Sequence, residues 1–196
     1  MREFKTENRL KKIINTVRAR QHTLQVVLEN IHDPHNVSAI FRTCDAVGVP
    51  EVSLLYHIEQ FPKINRISSA SANKWVQRER YTTVDDCYGA LREKGFKIYA
   101  STLSPESVDL YSLDLTEKVA LVLGNEHRGI SEEAAQKADK VFLIPMMGMV
   151  QSLNVSVAAA VILYEALRQR KDRNMYDVLQ KDESEIERII DEWCDK

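Results

Sequence analysis

No stretch constrains the fold of this chain more than Phe142–Glu165, FLIPMMGMVQSLNVSVAAAVILYE. Val141 to Ile144 reads as a short apolar strand, and Pro145 ends it because proline has no N–H to give to a ladder. The run Met146-Met147-Gly148-Met149 follows, and then three polar residues, Gln151, Ser152 and Asn154, in an otherwise apolar setting. A helix is expected from about Val155 to Arg170. Val155, Ala158, Ala159, Val161, Ile162 and Leu163 leave it almost no polar face for two turns, so it should be buried. Polar side chains at the start of a buried helix lose hydration free energy unless they find partners. Two readings are open there. Either Ser152 or Asn154 caps the free N–H groups of the first turn, or the segment is a ligand site.

The rest of the chain alternates strand and helix. Thr6 to Arg20 places Leu10, Ile13, Ile14 and Val17 on one helical stripe with Lys and Arg opposite. Leu24 to Leu28 reads as a strand. Asp33-Pro34 starts a helix, Val37 to Val47, that Gly48 stops. Glu51 to Tyr56 is a second strand, and residues 57 to 83 are the least regular part. Val84 to Lys94 is a helix, Lys97 to Ala100 and Val119 to Leu123 are strands, and Ser131 can cap a helix from Glu132 to Ala138. Asp182 to Asp195 is a short acidic amphipathic helix. This order predicts an α/β fold with a mainly parallel sheet flanked by helices. The expected division is a basic N-terminal helical extension (1–22), a main domain (23–170) and an acidic C-terminal helical extension (171–196).

A formal net charge of -2 hides an uneven distribution. Residues 1–30 carry seven Lys or Arg against three Glu, and residues 61–83 carry five against one. Segregated basic charge points to an anionic partner such as nucleic acid, with a solvated surface helix as the plainer alternative. Arg9, Lys11 and Lys12 on the first helix, and Lys63, Arg66 and Lys74 in the irregular part beside Trp75, are the candidate RNA contacts. The three cysteines, Cys44, Cys87 and Cys194, have no metal-ligand spacing and read as free thiols in a reducing compartment, hence a cytoplasmic protein. No signal peptide and no long charge-free apolar run is present, so no membrane is expected.

Polar clusters follow three of the strands: Ser101–Ser104, Gly124–Gly129 and Met146–Asn154. Such convergence at strand ends is the geometry of a ligand crevice. Glycines at 124, 129 and 148 would let backbone approach a flat ligand closely. Neither GxxxxGK[ST] nor GxGxxG occurs, which disfavours a nucleoside triphosphate or a dinucleotide. Glu126-His127 has no second histidine at helical spacing, so no metal is expected.

Three segments carry a family resemblance: Asn36 to Thr43 (NVSAIFRT), Leu123 to Ser131 (LGNEHRGIS) and Ile144 to Ala158 (IPMMGMVQSLNVSVA). In order and spacing they resemble the SpoU-type branch of the knotted, S-adenosylmethionine-dependent RNA 2'-O-methyltransferases, over roughly residues 24 to 170. Within that family, the short basic first helix, DPHNVSAI and the uninterrupted MVQSLNVSVA resemble the members that methylate the ribose of guanosine 18 in the D-loop of tRNA. The resemblance implies a deep trefoil knot over about Val119 to Glu165. It also implies S-adenosylmethionine held against Thr102, Gly124, Ile144 and Leu153, with Met146 and Met149 packed nearby. Asn36, Arg42, Glu126, Ser152 and Asn154 match the family's catalytic positions. Members act as homodimers through the knot region, with an active site drawing on both chains, and the Ala-rich helix Val155–Arg170 is the expected contact.

Physical chemistry limits these roles. Methyl transfer from a sulfonium is an in-line displacement, so holding donor and acceptor together supplies up to about 7–11 kcal/mol. The ribose hydroxyl must also lose its proton. The family's base is usually taken to be the arginine matching Arg42, yet a guanidinium keeps its proton in ordinary settings. Arg42 is therefore expected first as a phosphate clamp and alkoxide stabiliser, and second as a base; taken alone it would read as half of a surface ion pair. Asn36 lies about 120° from Arg42 around an ideal helix and acts through its own hydrogen bonds. Two alternatives stand beside this reading: a 2'-O-methyltransferase acting on ribosomal RNA or the tRNA wobble position, and a non-catalytic RNA-binding protein.

Overall fold

The computed structural model describes residues 2–62 and 72–196. Lys63 and Arg66 lie outside the described residues. Seven strands, β1 (Leu24–Glu29), β2 (Glu51–Leu55), β3 (Gln77–Tyr81), β4 (Lys97–Ser101), β5 (Val108–Asp109), β6 (Val119–Leu123) and β7 (Lys140–Leu143), form one sheet in the order β3-β2-β1-β6-β4-β7-β5. Every adjacent pair is parallel. The helices are α1 (Glu7–Arg18), α2 (Pro34–Val47), α3 (Val84–Glu93), α4 (Glu132–Lys137), α5 (Val155–Asp172) and α6 (Glu183–Asp195).

The strands sort their side chains by the period of two. Leu24, Val26 and Leu28 of β1 join the core under α2 and α5, whereas Val27 joins the opposite layer under α3 and α4. Central β1 is buried along its whole length, as expected for a parallel strand covered on both faces. Local signals set the helix ends. Asp33 caps α2 by accepting from the His35 N–H, Pro34 opens its first turn, and Gly48 closes it at φ +84°, where a side chain would be strained. Ser131 caps α4.

Three elements differ from the sequence reading, and the first is the two-residue edge strand β5, which has no counterpart in it. β3, QRERY, forms within the stretch read as irregular. It has no apolar alternation, because it is an edge strand held by backbone pairing with β2. The helix expected to be buried, α5, packs one face on α2 but leaves Val157 and Tyr164 exposed.

The chain ends meet. Ile13 and Val17 of α1 pack on Ile186, Ile190 and Trp193 of α6 in a small core of their own. The basic and acidic charge of the two ends is complementary here: Arg2 pairs with Glu187 and Asp191, and Arg18 with Glu183. Arg170, at the end of α5, is fully buried and donates to the carbonyls of Leu115, Thr23 and Glu117 and to Thr23 Oγ1, so a desolvated guanidinium keeps partners.

Candidate active site

At the carboxyl ends of β4, β6 and β7 the chain leaves a cavity of roughly 580 Å³. Ser101, Thr102 and Leu103 line it after β4, Gly124 to Gly129 after β6, and Leu143, Ile144 and Met146 after β7. Gln151 to Asn154 and the first turn of α5 close it. The three polar clusters of the sequence thus face one space. Leu143, Ile144, Met146 and Leu153 give it apolar walls, and the strand ends supply polar backbone. This combination takes a flat ligand with polar substituents.

The β6 loop is folded on itself. Asn125 N–H donates to the Gly129 carbonyl at 2.9 Å and Gly129 N–H to the Asn125 carbonyl at 2.8 Å. A Cβ on Gly124 would lie 2.2 Å from the carbonyl carbon of Gly129 and from the nitrogen of Ile130. The close approach that Gly124 permits is therefore to the loop's own backbone.

This tight loop aims Glu126 at the start of α2. Oε1 accepts from Asn36 Nδ2 at 2.8 Å and from the Asp33 N–H at 3.2 Å, and Oε2 accepts from the His32 N–H at 3.1 Å. Asn36 Oδ1 in turn accepts from Asn154 Nδ2 at 3.1 Å. Asn154 Oδ1 accepts from the Ser156 N–H at 2.8 Å, so Asn154 also caps α5. Three side chains from three segments form one directed chain, Asn154 to Asn36 to Glu126. Burial opposes ionisation of Glu126, but donation from Asn36 and from the His32 and Asp33 N–H groups outweighs it and holds the pKa below its ordinary value. The carboxylate is the acceptor that this chain requires.

Of the residues singled out from the sequence, Thr102, Gly124, Glu126, Ile144, Met146, Ser152, Leu153 and Asn154 line the cavity, and Asn36 reaches it through its hydrogen bonds. Met149 does not line it and is fully exposed. Arg42 is exposed on α2, outside the cavity, with no ion pair among the described residues. Arg9 and Lys12 line a separate cleft beside Trp75 and Trp193. Lys11 and Lys74 are exposed, and Arg9, Lys11 and Lys12 have no acidic partner among the described residues. No group of three or more His, Cys, Asp or Glu among the described residues is placed to hold a metal.

The sequence reading passes over Glu29, Asn30 and His57, and gives Arg128 no role beyond its place in the Gly124–Gly129 cluster; these residues tie the loops around this cavity. One signal was available: Glu29-Asn30 directly follows an apolar strand, and buried polar groups need partners.

The model of the SpoU rRNA Methylase family matches residues 23–164. Over 196 residues, 100% of each chain, this protein is 44% identical to a tRNA (guanosine(18)-2'-O)-methyltransferase of Thermus thermophilus. The crystal structure of the A. aeolicus TrmH/SpoU tRNA modifying enzyme matches with a TM-score of 0.89 at 42% identity, covering 95% of each chain. The SpoU methyltransferase AviRb from Streptomyces viridochromogenes, in complex with the cofactor AdoMet, matches with a TM-score of 0.68 at 30% identity, covering 78% of this chain and 62% of that one.

Proposed function

Because the chain belongs to the SpoU rRNA Methylase family, we propose that it transfers the methyl group of S-adenosylmethionine to the ribose 2'-hydroxyl of guanosine 18 in tRNA. The observation that carries this reading is the full-length similarity to a relative bearing that name, at 44% identity. The cavity agrees with the cofactor in size and chemistry: its volume is within the usual range for small-molecule sites, and apolar walls after β7 stand beside polar strand ends. S-Adenosylmethionine supplies an electrophilic methyl carbon. Thr102, Gly124, Ile144 and Leu153 would hold it, with Met146 as an apolar contact.

The chain's own groups then orient the acceptor. Glu126, ionised, fixes the Asn36 carboxamide, and Asn36 fixes that of Asn154. With their rotamers locked by these bonds, Asn36 and Asn154 can hold the ribose without reorganising during reaction, with Ser152 beside them on the cavity wall. Arg42, permanently charged, clamps the neighbouring phosphate and stabilises the developing alkoxide.

A second copy of the chain completes this site. Arg42 stands outside its own cavity, exposed Met147, Met149 and Val150 precede α5 in the chain, and Val157 and Tyr164 on α5 are also exposed. Pairing through α5 and the 146–150 segment would cover this apolar surface. The insertion of β6 between β1 and β4, with β7 on the far side of β4 and α5 returning to α2, agrees with a trefoil-knotted C-terminal half. Among the described residues no helix is long and apolar enough to cross a membrane, and all three cysteines are free and buried. Free thiols and a tRNA substrate both fit a reducing, cytoplasmic compartment.

The test is methyl transfer from labelled S-adenosylmethionine to unmodified tRNA transcripts, with digestion and mass analysis to place the label. The expected product is 2'-O-methylguanosine at position 18. Label at the wobble ribose or only in ribosomal RNA fragments would replace the substrate, and no transfer to any RNA would replace the enzymatic reading. Sedimentation should show a dimer, and Tyr164→Asp should shift it toward monomer.

A further inference from the structure

Outside the chain of Glu126, Asn36 and Asn154, the loops leaving β1, β2 and β6 meet at one residue, Asn30. It is 3% exposed and adopts the left-handed conformation, φ +52°. Its Oδ1 accepts from three consecutive backbone N–H groups, those of His57 at 3.1 Å, Ile58 at 3.0 Å and Glu59 at 3.1 Å. Successive N–H groups pointing at one oxygen form a concavity suited to negative charge. Here an uncharged side chain of the same protein fills it. The Asn30 carbonyl accepts from Asn125 Nδ2 at 2.7 Å, and Asn125 Oδ1 accepts from the N–H groups of His127 and Arg128 at 2.9 and 3.2 Å. One residue thus fixes both the bend after β2 and the loop after β6.

The two fixed loops meet at the cavity mouth. Glu59, the last residue held by Asn30, accepts from Arg128 at 2.6 Å, and its other oxygen lies 3.5 Å from His32 Nδ1. The Arg128 guanidinium holds the Glu59 carboxyl below its ordinary pKa. Arg128 lines the cavity with its side chain half-exposed, so the carboxylate restrains a cation that still faces solvent. Restraining a long arginine beforehand reduces the rotamer entropy lost when a phosphate binds.

We propose that Arg128 is a substrate phosphate contact at the mouth of the cavity and that Asn30 is its positioning residue, acting through the 57–59 backbone and Glu59. This inference rests on the reading of the cavity as a methyl-transfer site for RNA. It predicts a KM effect for RNA with little change in kcat, because neither residue belongs to the chain that orients the acceptor.

The experiment is a double-mutant cycle of Asn30→Gly and Arg128→Ala, read as KM for tRNA, kcat and Kd for S-adenosylmethionine. Glycine keeps the left-handed backbone and removes the Oδ1 clamp together with the Nδ2 contact to His57 Nε2 at 3.0 Å. Each single variant should raise KM for tRNA roughly tenfold, the size of one lost charge-assisted contact. The double variant should be no worse than the worse single, since both remove one device. Asn30→Asp, which keeps the acceptor oxygen, should restore KM to within about threefold of the parent. Kd for S-adenosylmethionine should stay within about twofold. Additive effects, an unchanged KM for Arg128→Ala, or a parallel loss of cofactor affinity in Asn30→Gly would overturn the inference. If the parent protein transfers no methyl group to any RNA, the functional reading fails and this inference fails with it; if the parent is active and the variants match it, only this inference fails.

Discussion

Replacing Glu126 by glutamine tests the orienting chain most directly. The carboxylate accepts three hydrogen bonds, from Asn36 Nδ2, Asp33 N–H and His32 N–H. A glutamine carbonyl can serve the side facing Asn36 and Asp33, but its NH2 then meets the His32 N–H, donor against donor. Rotating the amide by 180° is worse, because two donors then lose their acceptor. The better rotamer forfeits one charge-assisted bond, about 1.5–3 kcal/mol, and leaves the other two without charge assistance. If this orientation is used in the transition state, kcat should fall by about 10- to 150-fold with little change in the Kd of S-adenosylmethionine. Stability should fall as well, by about 2–4 °C in Tm for each kcal/mol lost. The pH dependence separates this mechanism from general damage. Glu126 has a folded pKa depressed below its ordinary 4.5, so its contribution is fully present above 4.5 and is lost as pH falls through the folded value. The Tm difference between parent and variant should therefore be constant near neutrality and should narrow as pH falls below 4.5 and through the depressed folded value. Single-turnover kinetics and calorimetry from pH 3 to 8 would check both. A kcat within twofold of the parent, or a Tm gap that does not narrow as pH is lowered from neutrality to well below 4.5, would refute the reasoning.

Three further outcomes are expected. Gly124→Ala should destabilise the protein by about 1–3 kcal/mol and weaken S-adenosylmethionine binding, because the new methyl overlaps the Gly129–Ile130 backbone; urea unfolding and calorimetry would show it. Arg170→Leu should cost about 3–5 kcal/mol, since it strands the carbonyls of Leu115, Thr23 and Glu117 in a buried site; a thermal melt is the measurement. Charge reversal at Arg9, Lys11 and Lys12 should weaken tRNA binding and reduce the slope of log K against log salt; an unchanged slope would remove α1 from the RNA surface and leave it as a brace on α6.

The two halves of the site differ in how visible they are in the chain. The Asp33 and Ser131 caps, the Gly48 stop and the break at Pro145 are local chemistry, and the helix and strand ends fall beside them. The polar clusters after β4, β6 and β7 are also local, and a parallel sheet must place its strand ends on one side. Their convergence on one cavity follows from that rule. Asn154 shows why sequence left two readings open, since it caps α5 and donates to Asn36 at once.

What remained hidden depends on contacts distant in sequence. β3 has a charged, unpatterned sequence and exists because β2 offers it an edge. The apolar run of α5 signals burial, but one chain covers only one of its faces, and Val157 and Tyr164 stay exposed. The charges of α1 and α6 look like two independent surfaces until Arg2 and Arg18 are seen paired with Glu187, Asp191 and Glu183. Asn30 is the clearest case. Alone it is a polar residue after a strand, and its hold on His57, Ile58, Glu59 and Asn125 appears only when three strand ends lie side by side. Periodicity and capping act within a few residues and are written in order along the chain. Hydrogen bonds between residues 30, 57 and 125 require the packed sheet, because only folding brings those donors and acceptors within reach of one another.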